Sequence, residues 1–402
     1  MSTEGDYDCI VIGAGVQGSF TAYQLAKKKQ RTLLLEQFVL PHTRGSSHGQ
    51  TRIIRKAYDQ DYYTVMMEEC YRMWAQLEEE ASVKLVRQTG LLVMGPENSS
   101  QYQAVKNTLQ KNRVPMVILP PEEFSKHIPN VNLSEGDGAL VDTTAGVLFA
   151  DRALRAVQGQ FLKLGGIIKD GQKVSDIKPG ALVTVTASGG VYRAKNLVLT
   201  AGSWTNGMLS YIGLQLPLKV LKINVCYWKE KVPGSYNVQQ RFPAFLQVEC
   251  PEGKHHIYGL PSNEYPGLMK HFHGQSGELP HAATRARAGR QATHLVGPGP
   301  RRSPFTTSLL FLPGGASTRR PLRLALPPPC RAMPFADLFD TSLKVFGCMS
   351  SMEGWIHHSG ERDTSLTFTP SSAPSDAIWR VWTFGLSWYM VVASVAHSPS
   401  IQ

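Results

Sequence analysis

The order of apolar and polar positions near the start of the chain is that of a strand, a tight turn, a helix and a second strand. Cys9–Ile12 is a short apolar run of the kind buried on both faces of a sheet. It passes directly into Gly13-Ala14-Gly15-Val16-Gln17-Gly18, and Ala22, Leu25 and Ala26 then recur at helical spacing. Thr32–Leu35 is the next apolar run, and Glu36 closes it about 20 residues past the glycines. Gly13 permits the turn, Gly15 lets the backbone approach a pyrophosphate, and Gly18 lets the helix pack on the strand. The anion would sit at the helix N-terminus, and Glu36 would accept hydrogen bonds from ribose hydroxyls. This is a dinucleotide-binding pattern in full context, and it does not by itself separate NAD from FAD.

The pattern continues in shorter pieces. Residues 37–58 form a long connection rich in Gly, Ser, His and Arg, the sort of loop that carries binding chemistry on a rigid scaffold. Asp61–Ala81 predicts a helix with Met66, Met67, Cys70, Tyr71, Trp74 and Leu77 on its buried face. Thr89–Met94 predicts a strand, Gln101–Asn112 a surface helix, and Pro120-Pro121-Glu122-Glu123 the opening of another. Two strand-like runs, GALVD and GVLFA, precede a helix from Asp151, which would cap it, to about Leu164. GIIKDGQKVSDI then reads as a strand pair, and ALVTVTA, VYRAKNL and LVLTAG as three short strands. Lys219–Trp228, Phe245–Glu249 and His256–Leu260 read as antiparallel strands of a second domain. From about Phe272 onward no strand or helix period is sustained, and Pro, Gly, Arg, Ala and Ser dominate.

Composition refines this picture in three places. The formal net charge of +11 suggests nucleic acid, but between Leu279 and Ala336 there is no Asp or Glu while nine arginines occur there. The excess is therefore local to the irregular tail, and no nucleic-acid face is expected. The six cysteines show no C-x-x-C spacing, which points to a reducing compartment and to no metal site. The polar N-terminus leads straight into the first strand, so no signal peptide is expected. Ala377–Ala396 has the length of a bilayer span but is interrupted by Arg380 and polar residues, which leaves it a weak membrane candidate.

Beyond these patterns, the text from about Tyr7 to Lys270 resembles the sarcosine oxidase family of FAD-dependent amine oxidases. The blocks that carry the resemblance are VIGAGVQGSFTAYQLAK, LPHTRGSSHGQTRIIRKAY, RQTGLLVMG, LVLTAGSWTN, INVCYW, VPGSY and HHIYGLP…EYPGLMK. SSHGQTRIIR is far more specific than the glycines. The resemblance implies an α/β fold: an FAD-binding Rossmann-like domain of the glutathione-reductase/D-amino-acid-oxidase type, residues 1–85 and 147–213. A mixed-sheet substrate domain, residues 86–146 and 214–272, would lie above the flavin, followed by an irregular, divergent tail, 273–402. The implied reaction oxidises a secondary amino acid such as sarcosine or L-pipecolate to an imine, with oxygen reduced to hydrogen peroxide. A monomer in the peroxisome is implied, although the chain ends Ser-Pro-Ser-Ile-Gln where the peroxisomal form has an import signal, leaving the cytoplasm as the alternative.

The same resemblance assigns residues. Gly13, Gly15, Gly18, Glu36, Ser46, His48, Arg52, Val174, Ala201 and Gly202 would bind FAD, with His48 and Arg52 against its ring. Arg55 would hold the substrate carboxylate, a role that suits a guanidinium because it pairs through two parallel hydrogen bonds. Tyr258 would line the substrate pocket, and Lys270 would assist the reaction with oxygen. His273 stands for a family histidine, one residue early. Two departures qualify the match. Gly347-Cys348-Met349-Ser350-Ser351 shares only two letters with the family's flavin-attachment block, so covalent flavin is not expected, Cys348 being its sole candidate. The late glycine-rich block that covers the flavin has no counterpart, which makes a catalytically impaired variant the first rival. An NAD-dependent dehydrogenase is the second, and a membrane-tethered binding protein the third.

Overall fold

The computed structural model describes residues 6–129, 131–216, 218–250, 256–273, 277–278, 306–311, 365–368, 377–384 and 388–395. The chain begins with β1 (Tyr7–Ile12), α1 (Val16–Lys27), β2 (Thr32–Leu35), β3 (Arg52–Ile54), α2 (Asp61–Ala81), β4 (Val86–Gln88) and β5 (Leu91–Pro96). There follow α3 (Ser100–Lys111), β6 (Met116–Ile118), α4 (Pro121–His127), β7 (Asp137–Asp142), β8 (Gly146–Leu148), α5 (Ala150–Lys163) and β9 (Ile167–Lys169). Next come β10 (Val174–Lys178), β11 (Val183–Ala187), β12 (Gly190–Leu199), α6 (Thr205–Leu209), β13 (Lys219–Lys229), β14 (Ala244–Gln247), β15 (Ile257–Tyr265) and β16 (Leu268–His273). The described remainder is β17 (Gly277–Glu278), β18 (Thr306–Phe311), β19 (Ser365–Phe368), β20 (Ala377–Phe384) and β21 (Trp388–Val395).

Two large sheets divide the work. The first contains the order β12-β1-β2-β9, all parallel at these joints, and the apolar run of β1 is buried throughout its second half. Helices α1, α2 and α5 cover one face, where Phe20, Trp74, Leu25, Leu34 and Phe161 share a core. Phe20 meets Trp74 edge-to-face at 5.0 Å between ring centroids, a favoured aromatic geometry. The second sheet contains the order β13-β16-β15-β14-β5-β7-β6, mixed in direction because β14 lies parallel to β5. A small sheet, β3-β8-β4, links them and fixes the loop before β3.

Several expectations are corrected. Asp151 does not cap α5: the cap position is Phe149, and the Asp151 carboxylate instead pairs with Arg155 at 2.7 Å. The reason is that β8 runs into the helix without a break, its end held by Phe149 N–H donating to Leu85 O. VYRAKNL and LVLTAG are one strand, β12, antiparallel to β11 at its start and parallel to β1 at its end. The strands of GIIKDGQKVSDI do not pair with each other, since β9 adds to β2 and β10 to β11.

The tail, expected to be irregular, contributes strands where it is described. β18 pairs with β13, and β21 lies antiparallel to β12, extending the first sheet through β20 to β19. The described residues of the weak membrane candidate Ala377–Ala396, 377–384 and 388–395, are therefore a strand pair, and no helix among the described residues is long and apolar enough to cross a membrane. Cys348 lies outside the described residues.

Candidate functional site

The glycine loop is shaped by clashes that only glycine avoids. A Cβ on Gly13, whose φ is +103°, would come within 2.4 Å of Thr200 O, and one on Gly18 within 1.8 Å of Gly13 O. The loop thus lies against the end of β12, where Thr200 Oγ1 donates to Ile12 O at 2.8 Å. Gly15 faces the other way, and a Cβ there would meet only Ser47, at 3.1 Å from its hydroxyl. Val16 N–H in the first turn of α1 donates to that Ser47 hydroxyl at 3.0 Å. Gln158 of α5 donates to Ala14 O at 3.0 Å and so braces the loop from behind.

A cleft of about 400 Å³ opens above this loop. It is lined by Gly13, Gly15, Glu36, Ser46, His48, Val174, Ala201 and Gly202, eight of the ten residues the resemblance assigned to the cofactor. Gly18 lies beneath the loop and Arg52 behind the wall. The Glu36 carboxylate accepts Ala14 N–H on Oε2 at 2.8 Å and Phe38 N–H on Oε1 at 3.1 Å, which orients it and leaves acceptor capacity for a hydroxyl. His42 Nε2 stands 3.5 Å from Oε1. Phe38 and Trp204 meet at 5.6 Å between centroids at the cleft, and Arg44 stacks over Phe38. The donor set fits a dinucleotide: a helix N-terminus for a pyrophosphate and an oriented carboxylate for a ribose.

At the far side of the loop the chemistry is cationic. Arg52, buried to 7% exposure, folds its guanidinium back onto its own loop. Nη1 donates to Thr51 O at 2.8 Å, and Nη2 to Ser46 O and to His48 O, the latter at 2.8 Å. Lys270, 4% exposed, reaches the same Thr51 carbonyl from β16 with Nζ at 3.2 Å. Lys270 stands in register with Leu260, two positions from Tyr258, so strand alternation puts Tyr258 and Lys270 on one face of the second sheet. Leu246, Leu260 and partly buried Tyr258 belong to the core on that side.

Arg55, also 7% exposed, directly follows the strand that begins with Arg52 and does not line the cleft. Its guanidinium carbon sits 4.5 Å from the centroid of the Tyr58 ring. Burial pushes the nearby Asp59 carboxyl above its usual value, with the Arg55 charge opposing that rise. His273 pairs through its backbone with Ile257, and its side chain lies outside the described ones. Sequence reasoning missed Ser47, Gln158, Phe38 and Trp204. Ser47 stands inside the most specific motif and is within reach of it, whereas Gln158 acts on a loop 144 positions away and leaves no local signal.

Comparison with known proteins agrees with this geometry. Residues 8–306 match the sequence model of the DAO family, described as FAD dependent oxidoreductase. Human peroxisomal sarcosine oxidase is 55% identical over 278 residues, covering 68% of this chain and 70% of the human one. Monomeric sarcosine oxidase of Bacillus sp. (strain B-0618) is 34% identical over 277 residues, covering 68% and 69%. Among solved structures, the open form of the amino acid oxidase NikD superposes with a TM-score of 0.62 at 23% identity, over 70% of this chain and 73% of that one, a likeness of fold.

Proposed function

We propose that this chain, which belongs to the family of FAD-dependent oxidoreductases and within it to the sarcosine oxidases, oxidises a small secondary amino acid of the sarcosine or L-pipecolate type. It is an FAD-dependent amine oxidase, and the NAD reading left open by the glycine pattern falls to the family match. Bound in the cleft, FAD supplies the two-electron acceptor that amine oxidation needs. The residues that would hold it are Gly13, Gly15 and the first turn of α1 at the pyrophosphate, Glu36 at the ribose, and Ser46, His48, Val174, Ala201 and Gly202 along the cleft.

The observation that carries the reading is the meeting of Arg52 and Lys270 on the Thr51 carbonyl. Two buried cations on one carbonyl oxygen favour negative charge arriving beside them. Arg52 would stabilise charge gained by the flavin ring, and Lys270 the charge on oxygen as it is reduced to peroxide. Arg55 would orient the substrate carboxylate and Tyr258 would wall the substrate pocket. His273 remains a candidate on the same strand as Lys270. Oxidation would remove a hydride equivalent from a carbon bonded to the amine nitrogen and a proton from that nitrogen, leaving an imine that water hydrolyses. Residues 1–85 and 147–213 would form the FAD-binding domain, and 86–146 with 214–272 the substrate domain, acting as a monomer in the peroxisome.

The test is direct. Purified protein is denatured, the released nucleotide identified, and peroxide measured with sarcosine and with L-pipecolate. FAD in the supernatant and peroxide from either amine are expected. FAD release without peroxide from any secondary amino acid would sink the substrate assignment, and a colourless protein the role of the cleft.

A further inference from the structure

We propose that Gly49 is a positioning residue: by lacking a side chain, it leaves the volume in which the Arg52 guanidinium folds back to share the Thr51 carbonyl with Lys270. The loop has φ +121° at Gly49, a conformation that residues with a Cβ rarely adopt. A Cβ at this position would stand 2.9 Å from Arg52 Nη1, 3.8 Å from Arg52 Cζ and 3.7 Å from Lys270 Nζ. Both cations therefore pack against the bare α-carbon of one residue. No other glycine described has Lys270 Nζ among the nearest neighbours of its Cβ position.

The contact is specific in what it would disturb. The atom a methyl group would strike is the end of a flexible side chain rather than backbone, so the fold can accommodate it by moving the guanidinium. That movement is not free for the site. Arg52 is held by three carbonyls, Thr51 O, Ser46 O and His48 O, all within the loop that carries Gly49. Displacing Nη1 weakens the bond to Thr51 O and changes how much of that carbonyl is left to Lys270 Nζ. Gly49 thereby sets the distance between the two positive charges and their placement beside the cofactor. The inference rests on the reading that these cations serve the flavin.

Sulfite tests it without turnover, because its complex with a bound flavin is favoured by cations near the ring and is read from the visible spectrum. The holoenzyme, Gly49→Ala and Gly190→Ala are titrated with sulfite, and flavin content and thermal midpoint are recorded. Gly190 has φ +149° and only the Tyr192 hydroxyl near its Cβ position, at 4.0 Å, so it controls for backbone strain. Sulfite affinity is expected to fall about tenfold in Gly49→Ala, a displaced rather than deleted cation, and to stay at the wild-type value in Gly190→Ala. Unchanged affinity in Gly49→Ala, or an equal loss in both variants, overturns the proposal.

If Gly49→Ala does not fold, Arg52→Lys/Gly49→Ala decides the matter, since lysine lacks the branch that the methyl group meets. Recovery of a flavin-loaded fold supports the proposal. A double variant that also fails shows backbone strain to be the cause and overturns it. Absence of any sulfite complex in the wild-type protein overturns the cation reading as well, which separates the two failures.

Discussion

The two ends of the candidate site, the glycine loop and the cation pair behind the cleft wall, are built by different means. The glycine end is made of backbone: β1, the loop and α1 are consecutive in sequence, and the space is shaped by side chains that are absent. The cation end is made of two side chains that share one backbone carbonyl, Lys270 of β16 in the other sheet reaching Thr51 O across 219 positions. The first end has no room for an added atom at Gly13 or Gly18. The second depends on two sheets holding their spacing, and its contacts are single hydrogen bonds. A change at the glycine end should therefore abolish binding and stability together, while a change at the cation end should leave a folded flavoprotein with altered chemistry.

Gly18→Ala should break the first end with the largest effect. The added methyl group would lie 1.8 Å from Gly13 O and 2.6 Å from Thr200 Oγ1, so the helix must move off the strand. A loss of about 3 kcal/mol, the upper range for overpacking, and no retained FAD are expected. Chemical denaturation and flavin content check this, and a stable yellow variant would show that the loop yields more than its geometry suggests.

Lys270→Met should sharpen the contrast by leaving folding and flavin binding in place. Reaction of the reduced protein with oxygen should slow by about a hundredfold, the scale on which one oriented charge contributes, while reduction by amine changes little. Stopped-flow traces of the two half-reactions separate them. Equal slowing of both would assign Lys270 to substrate orientation. Arg55→Ala comes next: the KM for the amine should rise roughly tenfold to a hundredfold, since a charge-assisted pair contributes about 1.5–3 kcal/mol. An unchanged KM would limit Arg55 to a structural role, stacked over Tyr58 and beside Asp59.

The same contrast explains what is legible in the sequence. The strand, the glycines, the helix and Glu36 are local, and each residue's type reports its backbone conformation, so the order of residues alone places the first end. α2 is equally plain because Met67, Cys70, Trp74 and Leu77 keep a helical period and are buried. At the second end Arg52 and Lys270 can be named only through the resemblance; nothing local says that they share a carbonyl. The tail reads as irregular for a related reason. β20 and β21 carry no alternation of apolar and polar positions, and the strand that joins them to the first sheet, β12, lies some 190 residues from β21, so composition rather than pairing sets the expectation.

The smallest expected effect lies at the other end of β1, away from the loop. Lys195 Nζ donates to Asp8 Oδ1 at 2.7 Å, tying β1 to β12, and Arg31 N–H donates to Oδ2 at 2.9 Å. The Lys195 hydrogen bond holds the Asp8 carboxyl below 3.8, against a smaller opposing effect of burial, with the Arg31 amide adding to the lowering. A carboxyl depressed in the folded state contributes stability above its unfolded pKa and loses it as pH falls through the folded value. Asp8→Asn should therefore be slightly less stable than wild type at pH 7, the difference closing below pH 3.8 and shrinking in high salt, as for any exposed pair. Urea unfolding at both pH values measures it. FAD retention should not change, because the strand's buried half separates Asp8 from the glycines. If Asp8→Asn loosens the cofactor as Gly18→Ala does, the glycine end is not the local, self-contained structure described above, and the contrast between the two ends fails.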